Sequence, residues 1–421
     1  MTRKRRVWIV NPYGPLPTDG WRSTRTVLLA RTLVEHGFEV TWFRNAFDHV
    51  SKRASAAPTE VFGFRVRSLP SCAYTRNVSI RRLLSEALFA LRLLRESRGE
   101  PSAPDVIIAG HATLFAGLAA VVLARLHGVP LVIDMFDLWP EAFRLVLPAR
   151  LRPLARVVFA PLYAVRRLVF GRAAAIIALA RVNLDVARAV APHVSAERCV
   201  LVYEGIDDAA LPGEVTAAER PASDKLRVVY AGTLGQGYDV DGIVAAAAIL
   251  GERKVPVRIV VAGDGPRRAK VETAAASCTN SNLVYAGRVS VADLGRLYRD
   301  ADVGLCAYVP GSTVAMPCKV YDYLAAGLAV VSSLDGELAE LLREQRIGLR
   351  YRAGSAAALA DAIEQLASDR RLLGTLRANA RKAAGQFERR VQYAKVARLL
   401  DGLVPTVETE VRWPDGRLVT A

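Results

Sequence analysis

The sequence predicts two α/β domains in tandem, each built on a parallel β-sheet with helices on both faces. Three observations support this fold class. The chain has 421 residues, which exceeds the usual size of a single domain. Short apolar runs alternate with helix-like segments along most of its length. Residues 206–226 interrupt this alternation with Pro, Gly, Ser and charges, a composition typical of a linker.

The apolar runs are nearly continuous, which favours strands buried on both faces of a parallel sheet. In the first half we predict strands at 7–10, 39–43, 105–110, 130–136, 174–180 and 199–205, with helices over 24–35 and 114–127. In the second half we predict strands at 226–232, 257–265, 282–289, 301–308 and 328–333, and final helices over 356–366 and 369–400.

These elements define the expected domain organisation. We expect an N-terminal domain over 1–205, a linker over 206–226, a C-terminal domain over 227–390, a helix over 391–404 that packs back on the first domain, and a tail over 405–421. Two doubly wound domains in tandem place a central cleft at the carboxyl ends of their strands, where such folds bind ligands.

The composition is that of a globular protein, with 52% hydrophobic and 23% charged residues. The five cysteines are scattered without a C-x-x-C pair, which predicts reduced thiols and neither a disulfide framework nor a zinc site. The basic N-terminus is followed by an apolar run too short for a signal peptide. We therefore expect a cytoplasmic protein without a membrane-spanning helix.

The net charge of +16 is concentrated in the first half of the chain. Residues 1–200 contain 29 Lys and Arg against 14 Asp and Glu. A nucleic acid, an anionic membrane and a phosphorylated acceptor all fit a basic domain. A nucleic acid is disfavoured, because no helix-turn-helix, RNP or zinc pattern is present and the arginines alternate with aliphatic residues.

Two basic segments are candidates for a membrane contact. Residues 80–95 place Ile80, Leu84, Ala87, Leu91 and Leu94 on one helical face, with arginines around it. That face fits either an anionic lipid surface or the domain core, with the arginines in water. Residues 150–172 again combine apolar residues with arginines, and this pattern favours a contact with an anionic membrane. A peripheral position on the inner face of the cell membrane is the corresponding expectation.

The strongest local signal is the segment MPCKVYDYLAAGLAVVSS at 316–333. Lys319 and Asp322 lie three residues apart at the start of a predicted helix that ends at Gly327. A helix N-terminus with an added lysine suits a diphosphate, and an acid can accept hydrogen bonds from a ribose. The residues alone also allow a simple solvent-exposed first turn.

The pattern P-x-K-x-Y-D-Y-L-A-A-G-x-x-V-V resembles the donor-site motif of glycosyltransferase family 4, in a subgroup similar to bacterial L-fucosamine transferases of surface polysaccharide synthesis. Five further segments occur in family order: NPYGPLPTDGW, FDLWPE, YAGTLGQGYD, VVAGDGP and YAGRV. The resemblance implies a GT-B fold of two Rossmann-like domains and retaining transfer from a nucleotide sugar. It implies no metal ion and no cofactor besides the donor.

The resemblance also assigns site residues. The catalytic positions are His111, Asp137 and Lys319. The donor-binding positions are Gly20, Thr233, Leu234, Gly235, Gly263, Gly265, Arg267, Arg288, Val289, Lys319, Tyr321 and Asp322. The acceptor-side positions are Trp21, Arg22 and Glu141. A lone histidine after a strand, such as His111, and a turn arginine, such as Arg267, also have plain structural explanations.

The chain departs from the family pattern at two places. Val314 replaces the first of two usual glutamates, and the loop from Thr233 to Gln236 lacks the usual cation. We therefore expect Lys319 and the backbone N–H groups of 233–235 to bind the diphosphate, with Arg267 in reserve. Arg288 and Val289 are expected beside the base.

The predicted donor is a UDP-linked N-acetylated sugar, with a GDP-mannose-type donor as the second choice. The predicted acceptor is a glycan or a lipid-diphosphate-linked molecule in the synthesis of cell-surface polysaccharides or glycoconjugates. The alternatives are a nucleotide-sugar epimerase with the GT-B fold, a transferase with a soluble small-molecule acceptor, and a module that binds nucleotide sugars without turnover.

Overall fold

The computed structural model describes residues 3–19, 24–49, 51–55, 59–75, 79–110, 114–141, 143, 147–206, 223–278, 282–404, 410–412 and 418–420. The chain divides into two compact units. The N-terminal unit comprises Met1–Tyr203 and Arg390–Ala421, and the C-terminal unit comprises Glu204–Arg389.

The strands are β1 Arg6–Val10, β2 Glu39–Asn45, β3 Glu60–Val61, β4 Phe64–Leu69, β5 Val106–Gly110, β6 Leu131–Met135, β7 Ala175–Ala178, β8 Cys199–Leu201, β9 Leu226–Ala231, β10 Val257–Ala262, β11 Leu283–Gly287, β12 Val303–Cys306, β13 Ala329–Ser332, β14 Gly348–Arg350, β15 Glu410–Arg412 and β16 Leu418–Thr420.

The α-helices are α1 Arg25–Glu35, α2 Ile80–Glu96, α3 Leu114–His127, α4 Ala155–Val158, α5 Ala160–Phe170, α6 Arg181–Val190, α7 Val240–Glu252, α8 Arg268–Ser277, α9 Val291–Asp300, α10 Cys318–Ala325, α11 Glu337–Gln345, α12 Ala356–Ser368, α13 Arg370–Ala384 and α14 Arg389–Leu403.

The N-terminal unit is built on one sheet in the order β3-β4-β2-β1-β5-β6-β7-β8. All neighbouring strands are parallel except the pair β3 and β4. Two apolar clusters fill its two faces: α1 and α14 cover one face, and α2, α3, α5 and α6 cover the other. Burial of both faces explains why the central strands read as continuous apolar runs.

A buried ion pair joins distant parts of the N-terminal unit. The Arg25 guanidinium on α1 donates to both carboxylate oxygens of Asp134 on β6, at 2.7–3.0 Å. It also donates to the carbonyl oxygen of Val202, at 2.7 Å. Because both charges are buried and hydrogen-bonded, removal of either partner would leave an uncompensated charge in the core.

The C-terminal unit contains a six-stranded parallel sheet in the order β11-β10-β9-β12-β13-β14. In chain order this is the 3-2-1-4-5-6 arrangement of dinucleotide-binding folds. The strand order reverses between β9 and β12, so the crevice at their carboxyl ends is the expected ligand position. The predicted two-domain, doubly wound parallel-sheet architecture is therefore confirmed.

Several strands among the described residues escaped the sequence prediction, including the pair β15 and β16 in the predicted tail. Strand β4 alternates buried residues with exposed arginines, so it lacks the continuous apolar signal of the central strands, and β3 and β14 are very short. Helix α11 follows β13, as the helical pattern after the apolar run at 328–333 predicts, and begins after Gly336 without a side chain that caps it. The single helix predicted over 369–400 is two helices, α13 and α14, separated by a 3-10 turn at Gly385–Phe387.

A close backbone contact holds two loops of the C-terminal unit together. A Cβ atom on Gly263 would lie 1.8 Å from the carbonyl oxygen of Gly232, and Gly263 has a φ of +146°. Gly232 in turn donates its N–H to the carbonyl oxygen of Ala262, at 3.0 Å. The loops after β9 and β10 can pack this closely only because no side chain lies between them.

We expect Gly263→Ala to lower the free energy of unfolding by about 2–4 kcal/mol, since the new methyl group combines backbone strain with overpacking. Urea unfolding of both proteins measures this difference. Gly374→Ala is the matched control, because this glycine lies inside α13 with no neighbour near its missing Cβ. It should gain about 0.5–1 kcal/mol from helix propensity. Equal effects of the two substitutions would contradict the packing explanation.

Candidate functional site

The loops that follow β9 and β12 meet at the point where the strand order reverses. Asp239 donates its N–H to the carbonyl oxygen of Ala307 at 3.2 Å, and Val309 donates to that of Gly237 at 3.3 Å. The two strand ends therefore share one crevice wall. The next helix in the chain, α10, begins beside this wall with Lys319 in its first turn.

Helix α10 has the features of an anion-binding terminus. Pro317 precedes the helix, and no side chain caps its first turn. Uncapped N–H groups and the helix dipole both favour a negative group at that end. Gly327, with a φ of +64°, follows the helix end, so both ends agree with the sequence prediction.

The Lys319 ammonium lies inside a tyrosine cage formed by Tyr230, Tyr238 and Tyr308. Its Nζ atom is 4.1, 4.9 and 5.6 Å from the three ring centroids, in that order. Ring faces attract a cation through their quadrupoles, but they do not accept its N–H protons as carboxylates do. Within the described residues, the buried Nζ atom has no hydrogen-bond partner and no ion pair.

The surroundings of Lys319 supply no counter-anion. Burial raises the pKa of Tyr230 and Tyr308 well above the ordinary value, so both remain neutral phenols. Burial also raises the pKa of the Cys306 thiol to about 12. The same loss of water lowers the pKa of Lys319 itself to about 8. A buried cation without an acceptor is costly, and an anionic ligand would satisfy it.

The loop over 233–235 offers two of the three expected N–H donors. Within the described residues, the N–H groups of Thr233 and Gly235 have no hydrogen-bond partner. The expectation for Leu234 is wrong, because its N–H already donates to the carbonyl oxygen of Asp264 at 2.9 Å and its side chain is fully buried. Leu234 holds the loop in place and has no free donor for a ligand.

Gly263 and Gly265 serve the packing of the same loops. A Cβ atom on Gly265 would lie 2.7 Å from the carbonyl oxygen of Leu234. The Tyr285 hydroxyl donates to the carbonyl oxygen of Gly263, at 2.9 Å. Both glycines thus border the crevice and allow its walls to approach, while direct contact with a donor stays a prediction.

Two other predicted donor residues differ from the expectation. Arg267 forms an ion pair with Asp241 on α7, so it is not a free reserve cation. Tyr321 is only 1% exposed and packs its ring against Phe387, with centroids 5.4 Å apart. The helical spacing turns Tyr321 toward the core, so it is a packing residue.

The remaining predicted donor residues lie near the carboxyl edge of the same sheet. Asp322 is 5% exposed, on the turn after Lys319. Arg288 is exposed and Val289 is partly exposed, directly after β11. Their contacts with a ribose and a base stay predictions.

On the N-terminal unit, four predicted residues (Gly20, Trp21, Arg22 and His111) lie outside the described residues. Asp137 follows β6 and reaches solvent, yet surrounding protein raises the pKa of its carboxyl, an effect that Arg82 partly offsets. Glu141 is already engaged, because the Arg166 guanidinium donates to both of its carboxylate oxygens at 2.8–2.9 Å. Its expected acceptor role would require that pair to open.

The structure adds a polar network that the sequence did not predict. Arg82 on α2 donates to the Tyr13 hydroxyl at 3.0 Å and to Glu86 at 3.2 Å. The Tyr13 hydroxyl in turn donates to Glu86. The Arg82 guanidinium also lies 5.0 Å from the ring centroids of Tyr13 and Trp139. This network lies at the carboxyl edge of the N-terminal sheet, next to Asp137.

His49 extends this network with a defined tautomer. Its Nδ1 atom lies 2.6 Å from the Tyr74 hydroxyl and 3.5 Å from the Lys52 ammonium. An ammonium can only donate, so Nδ1 accepts and the proton resides on Nε2. Burial, Lys52 and Arg82 lower the pKa of His49 to about 4, which keeps the ring neutral. The neutral Nε2–H is therefore a hydrogen-bond donor at this edge.

Two family models match the chain. Residues 23–210 match the model described as Glycosyltransferase Family 4, and residues 225–369 match the model described as Glycosyl transferases group 1. Between them the two models cover most of both units. The chain is a glycosyltransferase. A search of curated proteins finds no match.

Solved structures agree with the GT-B fold of this glycosyltransferase. Sucrose-phosphate synthase from Thermosynechococcus elongatus has a TM-score of 0.69 at 16% identity, covering 95% of this chain and 99% of that one. WaaG, a glycosyltransferase involved in lipopolysaccharide biosynthesis, has a TM-score of 0.66 at 15% identity, covering 95% and 100%. Anabaena HepE in complex with UDP has a TM-score of 0.64 at 15% identity, covering 95% and 100%.

At these identities the likeness shows the fold alone. The closer resemblance to L-fucosamine transferases stays a prediction.

The sequence contained a signal for the tyrosine cage that a pattern search does not use. Tyr230, Tyr238 and Tyr308 belong to segments next to the ends of β9 and β12, the two strands at which the sheet order reverses. Polar aromatic residues at those strand ends could have been read as crevice residues. The network around Arg82 had no such signal, since it depends on which face of α2 is buried.

We expect Lys319→Met to raise the free energy of unfolding of the ligand-free glycosyltransferase by about 1–3 kcal/mol at pH 7, because each unit of pKa depression represents about 1.4 kcal/mol. The folded pKa of about 8 lies below the ordinary 10.5. The penalty is therefore complete below pH 8 and disappears as the pH rises toward 10.5. Denaturant unfolding of both proteins at several pH values measures this.

Lys270→Met is the control for this prediction, because Lys270 is exposed and paired with Asp241. It should change the unfolding free energy little at any pH. A clear loss of stability in Lys319→Met would show that Lys319 is better satisfied than its contacts indicate.

Proposed function

We propose that this glycosyltransferase moves a sugar from a nucleoside-diphosphate sugar to a glycan or lipid-diphosphate-linked acceptor, in the synthesis of cell-surface polysaccharides or glycoconjugates. The transfer is proposed to retain the anomeric configuration and to need no metal ion. One observation carries the donor part of this proposal. The Lys319 ammonium is buried at the start of α10, and no described residue accepts a hydrogen bond from it.

A diphosphate suits this position for electrostatic reasons. It would bring several negative oxygens to Lys319, the first turn of α10 and the N–H groups of Thr233 and Gly235. The charge on a leaving diphosphate increases as the bond to the sugar breaks. Donors already fixed at that position would stabilise the developing charge more strongly than the intact donor.

The nucleotide is proposed to be a uridine diphosphate, with an N-acetylated sugar. The structures of HepE in complex with UDP and with UDP-glucose support a uridine nucleotide in a protein of this fold. Within the proposal, Asp322 accepts hydrogen bonds from the ribose, and Arg288 and Val289 border the base. A GDP-mannose-type donor is the competing choice.

The acceptor is proposed to bind at the carboxyl edge of the N-terminal sheet. Asp137 is accessible there, and its raised pKa suits contact with a hydroxyl group. His49 presents an Nε2–H donor at the same edge, and Trp139 and Tyr13 present aromatic rings. The attacking hydroxyl would pass its proton to an oxygen of the departing diphosphate, with Asp137 and His111 orienting the reacting groups.

We expect Lys319→Ala to weaken UDP binding by about 10- to 100-fold, as truncation of one member of a buried charge pair does. Isothermal titration calorimetry with UDP measures the dissociation constant. UDP release from UDP-N-acetylglucosamine in buffer with EDTA follows turnover, and it should fall by at least a similar factor. Lys270→Ala is the control and should match the parent protein, because Lys270 is exposed on α8.

Parent-level UDP binding by Lys319→Ala would remove the basis of the donor assignment. UDP release without sugar transfer in a panel of acceptors would leave the donor assignment intact and contradict only the acceptor. Conversion of the sugar nucleotide to an isomer without an acceptor would favour an epimerase.

We expect UDP binding to weaken as the pH rises through 8. The free Lys319 has a pKa of about 8, and only the charged form pairs with the diphosphate. Binding should therefore raise this pKa and take up protons near pH 8. The dissociation constant should increase about tenfold between pH 7 and pH 9.5. Calorimetry in two buffers of different ionisation enthalpy measures both quantities, and the Lys319→Ala profile should be nearly flat.

A further inference from the structure

Helix α2 has a mixed buried side and also leaves large apolar side chains in solvent. Its polar residues Arg82, Ser85 and Glu86 are buried toward the sheet. Phe89 and Leu93 are buried beside them in the core. Other apolar residues of the helix point to solvent: Ile80 is 77% exposed and Leu91 is 63% exposed. The sequence left two interpretations for the apolar face over 80–95, and the structure divides that face: Leu94 packs against the core, whereas Ile80, Leu84 and Leu91 are exposed. Burial in the core therefore cannot explain why these side chains are apolar.

The neighbouring helices continue the same surface. Helix α2 packs against α3, α3 against α5, and α5 against α4, so their outer sides are adjacent. Exposed apolar side chains occur on each, including Leu126 on α3, Val157 on α4 and Leu168 on α5. Val157 is the most exposed of these three, at 74%. We call this outer surface of α2, α3, α4 and α5 the arginine–apolar face.

The charges of this face are predominantly positive. Residues 80–95, 114–127 and 150–172 contain one acid, Glu86, and it is buried. The exposed arginines include Arg81, Arg95, Arg125, Arg156, Arg167 and Arg172. Glu96, the last residue of α2, is an exposed acid at the edge of the face. In the C-terminal unit, by contrast, the described residues include just two large exposed apolar side chains, Val291 and Val314.

We propose that the arginine–apolar face binds the surface of an anionic phospholipid membrane. Apolar side chains would enter the boundary between head groups and acyl chains, while the arginines contact lipid phosphates. A second copy of the chain fits this face poorly, because a two-fold contact would oppose arginine to arginine. Among the described residues no helix is long and apolar enough to cross a bilayer, so the contact is peripheral.

This inference does not rest on the donor chemistry. It depends on the exposure and charge of four helices in the N-terminal unit, whereas the donor proposal depends on Lys319 in the C-terminal unit. Failure of one would therefore leave the other intact. Membrane binding would support only the acceptor part of the proposed function, because a lipid-linked acceptor resides at a membrane surface.

Co-sedimentation with vesicles tests the proposal. The full chain should sediment with phosphatidylcholine vesicles that contain phosphatidylglycerol, and much less with pure phosphatidylcholine. Added salt should weaken binding by screening the arginines. The double variant Leu91→Glu with Val157→Glu should lower the vesicle-binding constant by at least about tenfold. Two apolar side chains that would be buried in the lipid are replaced by carboxylates, which the anionic lipids repel.

A matched control separates the face from overall charge. Val291→Glu with Val314→Glu changes the net charge equally, but on exposed residues of the C-terminal unit. This control should bind vesicles like the parent protein. All four positions are exposed, so both variants should keep the parent thermal transition, which circular dichroism checks.

Three results would overturn the proposal. The parent protein could fail to bind the anionic vesicles at low salt, or the two double variants could lose binding equally. Light scattering without lipid could instead show a dimer that only the Leu91 and Val157 variant disrupts. That last result would identify a second copy of the chain as the occupant of the face.

Discussion

The C-terminal unit depends on the contact between Gly263 and the carbonyl oxygen of Gly232. No side chain fits at Gly263, so the loops after β9 and β10 pack backbone against backbone. Gly232 in turn lies close to Lys319, because a Cβ atom on Gly232 would lie 3.0 Å from the Lys319 Nζ atom. Gly263 and Gly232 together thus limit how far the Lys319 ammonium can enter the crevice. A larger residue at either place would move the cation away from the strand ends, where the tyrosines surround it.

The position of Lys319 is a compromise between stability and binding. Three tyrosine rings attract the ammonium, but they replace only part of the hydration that burial removes. A carboxylate paired with Lys319 would have offset the desolvation penalty of the buried ammonium. It would also have neutralised the positive charge that an anionic ligand can otherwise bind. The absence of such a partner among the described residues therefore makes the site less stable alone and better prepared for a diphosphate.

Much of this organisation could be predicted from the sequence, and the failures have specific physical causes. Strands such as β1 and β9 are buried on both faces, so their apolar runs are unambiguous. The segment around Lys319 has recognisable helix ends at Pro317 and Gly327. Burial of Tyr321 and pairing of Arg267 were not predictable, because both depend on neighbours distant in sequence. For the tyrosine cage the sequence does place all three members next to the ends of β9 and β12, but their convergence on Lys319 depends on the tertiary fold.

Helix α2 contributes to both surfaces proposed for the N-terminal unit, the acceptor edge and the arginine–apolar face. Its inner side carries Arg82 and Glu86, which complete the network with Tyr13. Further along the same side, Phe89 and Leu93 pack into the core. The exposed apolar side chains on its outer side, among them Ile80 and Leu91, can be covered only by a partner. An α-helix with its side chains is about 10–12 Å across. A lipid surface against the outer side of α2 would thus lie about one helix diameter from Arg82 and the acceptor edge. Under the two proposals above, a lipid-linked acceptor would stay near the membrane surface while its hydroxyl group approaches the acceptor edge.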